Sequence, residues 1–172
     1  PIEGDLAESW TQPNETTYIF KLRRGVRWHN KPPVNGRELT ADDVVFSINY
    51  FLTVKGNANA YMLKSVDKVE APDKYTVKIT LKDVDTHFPE SLSDLAVVPE
   101  HIWKDIADPL AFKNETPVGS GPMTEIRRFT PQVYEQCRNP NYWDAASLHV
   151  DCLKLPQIAG NEAMKPAFRM VM

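Results

Sequence analysis

Between Thr17 and Leu81 the spacing of apolar residues changes twice, and that change limits what the chain can fold into. Over Thr17-Tyr18-Ile19-Phe20-Lys21-Leu22 it alternates, the period-two signature of a half-buried strand, and Arg24-Gly25 then reads as a turn. Further on, Val44, Ile48, Phe51 and Leu52 fall on one face at helical spacing with Val45 beside them, while Asp42, Asp43 and Asn49 lie off it. Thr40 offers a hydroxyl as N-cap, and Asp42 and Asp43 set two carboxylates at the positive end of the helix dipole. The spacing therefore predicts a helix over 41–54, ended by Gly56-Asn57. Alternation returns over Val66 to Val69 and Tyr75 to Leu81, which reads as a hairpin turning at Ala71-Pro72-Asp73-Lys74. Strand, helix and hairpin in succession predict an α+β fold, a mixed β-sheet with short helices.

The rest of the chain is cut into short pieces. Pro32, Pro33 and Gly36 make 30–37 a loop. Thr86 can cap a helix over 86–95 in which Phe88, Leu92 and Leu95 recur, with Pro89 tolerated in the first turn. Another short helix begins at Pro99, and its Trp103 is expected to pack in a core. Val118-Gly119-Ser120-Gly121-Pro122 is a tight loop whose glycines allow backbone conformations that other residues resist. Strands are predicted over 123–128, 133–138 and 149–155, with the turn-rich Asn139 to Asp144 between the last two, and 161–172 has helical character broken by Pro166. A chain of 172 residues is long enough for one domain with a real core.

Composition removes several function classes. Hydrophobic residues at 42%, charged residues at 25% and a net charge of −3 are ordinary for a soluble globular protein and argue against disorder and coiled coil. No apolar run approaches the ~18 residues of a membrane-spanning helix, and Pro1-Ile2-Glu3-Gly4-Asp5 lacks the features of a signal peptide. The basic cluster Lys21, Arg23, Arg24, Arg27 and Lys31 is offset by acids and reads as a solvated strand and turn, so nucleic acid is not an expected partner.

Catalytic patterns are also missing. Gly119-Ser120-Gly121 is not the five-residue elbow of a nucleophilic serine, nor does it have the spacing of a phosphate cradle. The pairs Asp42 with Asp43 and Asp83 with Asp85 are accounted for by a helix cap and a solvated turn. His29, His87, His101 and His149 show no close pairing, and two cysteines are too few for a structural zinc site. No catalytic residue, metal site or cofactor is expected, and the chain reads as a non-enzyme.

Cys137 and Cys152 sit on predicted strands joined by fourteen residues, so antiparallel pairing could bring their sulfurs together. A disulfide there would stabilise the fold by roughly 3 kcal/mol on the chain-entropy estimate and imply an oxidising compartment. The other reading is two buried thiols acting as small apolar residues. Trp10, Trp28, Trp103 and Trp143 would suit a sugar or peptide groove, with ordinary core packing the alternative for each.

Five runs of residues occur in a specific order. They are Gly4-Asp5-Leu6-Ala7-Glu8-Ser9-Trp10, Phe20-Lys21-Leu22-Arg23-Arg24-Gly25-Val26-Arg27-Trp28-His29, Leu39-Thr40-Ala41-Asp42-Asp43-Val44-Val45-Phe46-Ser47, Gly119-Ser120-Gly121-Pro122 and Arg138-Asn139-Pro140-Asn141-Tyr142-Trp143. They are spread over nearly the whole chain and together resemble the family 5 extracellular solute-binding proteins, which include peptide- and nickel-binding components of ABC importers. The resemblance implies a two-lobed, periplasmic-binding-protein-like fold of class II, cluster C, of which residues 1–172 would be a single partial lobe. It further implies ligand capture by lobe closure, permease subunits in the membrane as partners, a monomer, and a periplasmic or extracellular place, with a lipoprotein anchor as one route of attachment. Within the family, Cys137 and the run Val150 to Glu162 look more like the cello- and chito-oligosaccharide-binding branch. An oligosaccharide ligand is thereby implied, with an oligopeptide or dipeptide as the alternative and a glycan hydrolase or accessory binding module as a remote one. The family's usual aromatic after Gly121-Pro122 is replaced by Met123, and no ligand-contacting residue follows from the resemblance.

Overall fold

The computed structural model describes residues 4–114 and 116–156. Backbone contacts divide the chain after Ser120 into two compact units. The first contains β1 (Ala7–Asn14), β2 (Thr17–Leu22), α1 (Ala41–Thr53), a 3-10 turn (Ala58–Leu63), β3 (Val66–Asp73), β4 (Thr76–Leu81), α2 (Phe88–Ser93) and α3 (Glu100–Trp103). The second contains β5 (Met123–Thr130), β6 (Val133–Arg138), a 3-10 turn (Ala145–Ser147) and β7 (Cys152–Pro156). The expected α+β mixture of sheet and short helices is present. Every strand pairing among the described residues is antiparallel.

The first unit's sheet runs in the order β1-β2-β4-β3. Its centre follows from the alternation read in the sequence. Phe20 pairs with Val77 and Tyr18 with Ile79, so Tyr18, Phe20, Leu22, Val77, Ile79 and Leu81 are all buried. Strand periodicity then sends Lys21 and Lys78 to the opposite face. Helix α1 buries Ile48 completely, and Trp28, Leu39, Leu63 and Phe88 complete the core. Thr40 occupies the N-cap in an extended conformation, and Asp43 Oδ2 accepts its N–H at 3.0 Å. Gly56, at φ +80°, supplies the left-handed backbone that turns the chain away two residues after the C-cap Val54.

Four expectations need correcting. Strand β1 was not legible as a strand, because it is an edge strand whose residues from Glu8 onward are exposed, leaving no buried face to impose alternation. The hairpin turns at Lys74-Tyr75, with Pro72 inside β3. Strand β3 is the other edge of the sheet, where a missing N–H costs no ladder bond, and the pairing is irregular between Glu70 and Asp73. Helix α2 starts at Phe88 with His87 as its N-cap residue. Asp85, not Thr86, takes the local N–H, from His87 at 3.1 Å. Finally, β7 begins at Cys152 and not at His149, while β5 runs on to Thr130. The helical character read over 161–172 lies outside the described residues.

Candidate functional site

The densest polar cluster of the first unit centres on Asp43, which is 2% exposed. Its carboxylate accepts the Trp28 indole N–H at 3.4 Å, the Thr40 N–H at 3.0 Å, and both terminal nitrogens of Arg37, one of them at 3.0 Å. One turn along, Ser47 donates to the Asp43 carbonyl at 2.7 Å and accepts the Val98 N–H at 2.9 Å. With these donors and no open space beside it, Asp43 serves as a structural anchor that ties the Trp28 loop to α1. The expectation that Asp43 belongs to the cap of this helix is met, since its carboxylate accepts the Thr40 N–H.

Glu38 is also held by its neighbours. It accepts the Gly25 N–H at 2.8 Å and the Tyr75 hydroxyl at 3.0 Å, and it pairs with Lys74 at 2.7 Å. The Lys74 hydrogen bond and then the Gly25 N–H hold its carboxyl down at about 2. Arg24 and Lys74 each lie 5.1 Å from the Tyr75 ring centroid, so the turn at Gly25 is joined to the hairpin turn by charge and by aromatic contact.

Gly119 and Gly121 of the glycine loop are each tied within their own unit. His29 is buried; its N–H donates to the Gly119 carbonyl at 2.8 Å and its Nδ1 accepts the Gly119 N–H at 3.1 Å. That acceptance fixes Nδ1 as the bare nitrogen of the ring. In the second unit, buried Asn139 donates from Nδ2 to the Gly121 carbonyl at 3.1 Å and from its backbone to the Pro122 carbonyl at 2.6 Å. The motif Asn139-Pro140-Asn141 is therefore a backbone clamp, and its Oδ1 accepts the Asn141 N–H at 3.0 Å.

Open space lies elsewhere. An apolar hollow of about 220 Å³ opens on the core face of the first sheet, between Trp10, Phe20 and Ile79 on one side and Val44, Leu92 and Leu95 on the other. A second recess, of about 410 Å³, borders Pro32, Pro33, Ile102 and Phe112. The four tryptophans separate accordingly. Trp28 is core, 1% exposed. Trp103 is half-buried, edge-on to Tyr50 and Phe112 with ring centroids 5.8 and 5.5 Å away, which corrects the expectation of a core residue. Trp10 forms the rim of the hollow, and Trp143 packs against Tyr142 at 5.4 Å. Trp10 is thus placed where an aromatic face could meet a bound group.

Cys137 and Cys152 are joined in a disulfide, with Cα atoms 3.9 Å apart. They face each other in the β6–β7 pairing, so the antiparallel arrangement considered from the sequence is the one that forms. The reading of two free thiols is set aside.

Residues 1–169 match the family model described as bacterial extracellular solute-binding proteins, family 5 Middle. A Brucella ovis protein named for peptide binding in ABC transport is 33% identical over 147 residues, which is 82% of this chain and 27% of that protein. Heme-binding protein A of Haemophilus influenzae is 35% identical over 83% of this chain and 29% of its own length. Among solved structures, the oligopeptide-binding protein AppA of Bacillus subtilis in complex with a nonapeptide superposes with a TM-score of 0.86 at 27% identity, covering 97% of this chain and 33% of that one. The chain thus spans a third or less of the length of each of these relatives.

Proposed function

The chain belongs to family 5 of the bacterial extracellular solute-binding proteins, and from that membership we propose that it is part of the substrate-binding component of an ABC importer. The observation that supports this most strongly is the breadth of the match, which takes in both compact units. On this reading residues 1–172 are a single partial lobe of a two-lobed protein that acts as a monomer in the periplasm or outside the cell, with a lipoprotein anchor as one way of holding it at the membrane. The lobes close on the ligand, and the closed form is what the permease subunits meet. No chemical step belongs to this role, in keeping with Asp43 and Glu38 being committed to internal partners.

The ligand class best supported is a peptide, because a peptide-binding name and a peptide-bound structure both stand among the relatives. The Trp10 hollow gives an apolar side chain of such a ligand somewhere to rest. A second reading, an oligosaccharide, is favoured by a separate feature, the pairing of Cys137 with Cys152 beside a run that resembles the cello- and chito-oligosaccharide branch. Calorimetric titration of the intact protein with short peptides, cello-oligosaccharides and chito-oligosaccharides separates the two. Saturable binding of peptides is expected, saturation by a sugar alone reverses the assignment, and a protein that binds neither loses the capture role. Turnover of a labelled glycan that disappears in Ser120→Ala would replace capture with catalysis.

A further inference from the structure

The second unit holds a cluster of three metal-ligating side chains. The carboxylate of Glu135 and the sulfurs of Cys137 and Cys152 all lie within 4.8 Å of one another. The topology accounts for this. Glu135 and Cys137 are two apart on β6 and so share a face, and Cys152 stands opposite Cys137 on β7. Cys137 is buried, while Cys152 and Glu135 are half-buried, so the cluster has one sealed side and one accessible side. One charged neighbour is Lys154, whose ammonium lies 4.0 Å from the Glu135 carboxylate and whose side chain is 65% exposed, free to swing out to solvent.

We propose that reduction of the Cys137–Cys152 disulfide uncovers a binding site for a zinc-class divalent cation, with both thiolates and the Glu135 carboxylate as ligands. The steps balance with an external thiol or phosphine as the reductant. Two equivalents of a thiol reduce the bridge to two thiols and become a disulfide themselves; the cation then displaces one proton from each thiol, and Glu135 adds a carboxylate oxygen as the third donor. Two sulfurs and one oxygen suit a tetrahedral zinc-class ion and leave one position open to water. The cation would re-create the β6–β7 link that reduction removes, so its binding energy appears partly as restored stability. The disulfide and the metal are thus alternative staples at the same place, selected by redox state.

The test uses the intact protein, oxidised or reduced with a phosphine that is then removed without air, titrated with Cd²⁺ and Zn²⁺. Cd²⁺ reports through its thiolate charge-transfer absorption, and Zn²⁺ through competition with a chromophoric chelator. The reduced protein is expected to bind stoichiometrically and melt at a higher temperature with metal, whereas the oxidised protein does neither. Glu135→Gln, which leaves the disulfide intact, should weaken binding by at least about tenfold, the low end of what losing even an outer-shell partner costs, and Cys152→Ser should abolish the charge-transfer band. Binding that persists in the oxidised protein, no binding to the reduced one, or equal affinity in Glu135→Gln overturns the proposal. An unfolded reduced protein is covered too, because a cation held by loose thiols alone would be indifferent to residue 135.

Discussion

At the scale of single residues, Asp43 and Tyr50 show opposite consequences of burial. Asp43 is a buried charge with a full set of donors, and its main partner Arg37 is 28% exposed. Removing the carboxylate charge leaves the Arg37 guanidinium and the Trp28 N–H poorly matched. Asp43→Asn should therefore destabilise by about 3 kcal/mol, the lower end of what breaking a buried pair costs, read as a drop in the urea midpoint at unchanged slope. If the loss is due to the stranded guanidinium, adding Arg37→Met should recover part of it. Tyr50 runs the other way. Its hydroxyl is buried without a hydrogen-bond partner among the described residues, and burial raises its pKa, holding the phenol neutral. Its ring stays useful, packed at 5.4 Å on Phe46 and edge-on to Trp103. Tyr50→Phe keeps those contacts and drops the unpaired group, so it should be neutral or stabilise by about 1 kcal/mol. A clear loss of stability in thermal melts would mean that the hydroxyl has a partner after all.

At the scale of elements, the turn at Gly25 and the hairpin turn at Lys74-Tyr75 are held together through Glu38. Its carboxyl sits at about 2 against an ordinary 4.5, and the sign of its pH effect follows from that difference. A depressed carboxyl contributes stability at pH values above the ordinary one, and the contribution disappears as pH falls from 4.5 toward about 2. Wild type should thus exceed Glu38→Gln in stability by a constant margin near neutrality, and the margin should close over that acid window. A margin independent of pH would assign the effect to lost packing. These same elements show what could be read beforehand. Strands β2 and β4 and helix α1 were visible because each has one face in the core, which forces apolar residues to repeat at the element's own period. Strand β1 and the exit of β3 were not, since an edge strand is held by backbone bonds that leave no mark on side-chain pattern. The candidate site was legible only in part. The disulfide and the tight glycine loop could be read from residue type and spacing, but the pairing of His29 with Gly119 spans 90 residues and has no local signal. Trp10 gave no hint of its place at the rim of a hollow, because the other walls come from four separate segments.

At the scale of the whole molecule, the chain's two compact units differ in how they are stabilised. Among its described residues the first has a contiguous core of sixteen buried apolar residues drawn from sheet, helix and loops. In the second, Cys137 is the one described apolar residue that is buried, while Leu153 and Leu155 of β7 are 45% and 58% exposed. With so little apolar burial among its described residues, the three-stranded sheet leans on the bridge, which closes the fifteen-residue separation between β6 and β7. The chain-entropy argument puts such a closure at roughly 3 kcal/mol. Replacing both cysteines by alanine should therefore act on one unit only. Hydrogen exchange should show amides of β5, β6 and β7 losing protection by about two orders of magnitude, the exchange equivalent of that energy, while the β2 and β4 amides keep theirs. Equal losses in both units would mean that the chain opens as one cooperative body, and the bridge would then have to be counted toward the stability of the first unit's core as well.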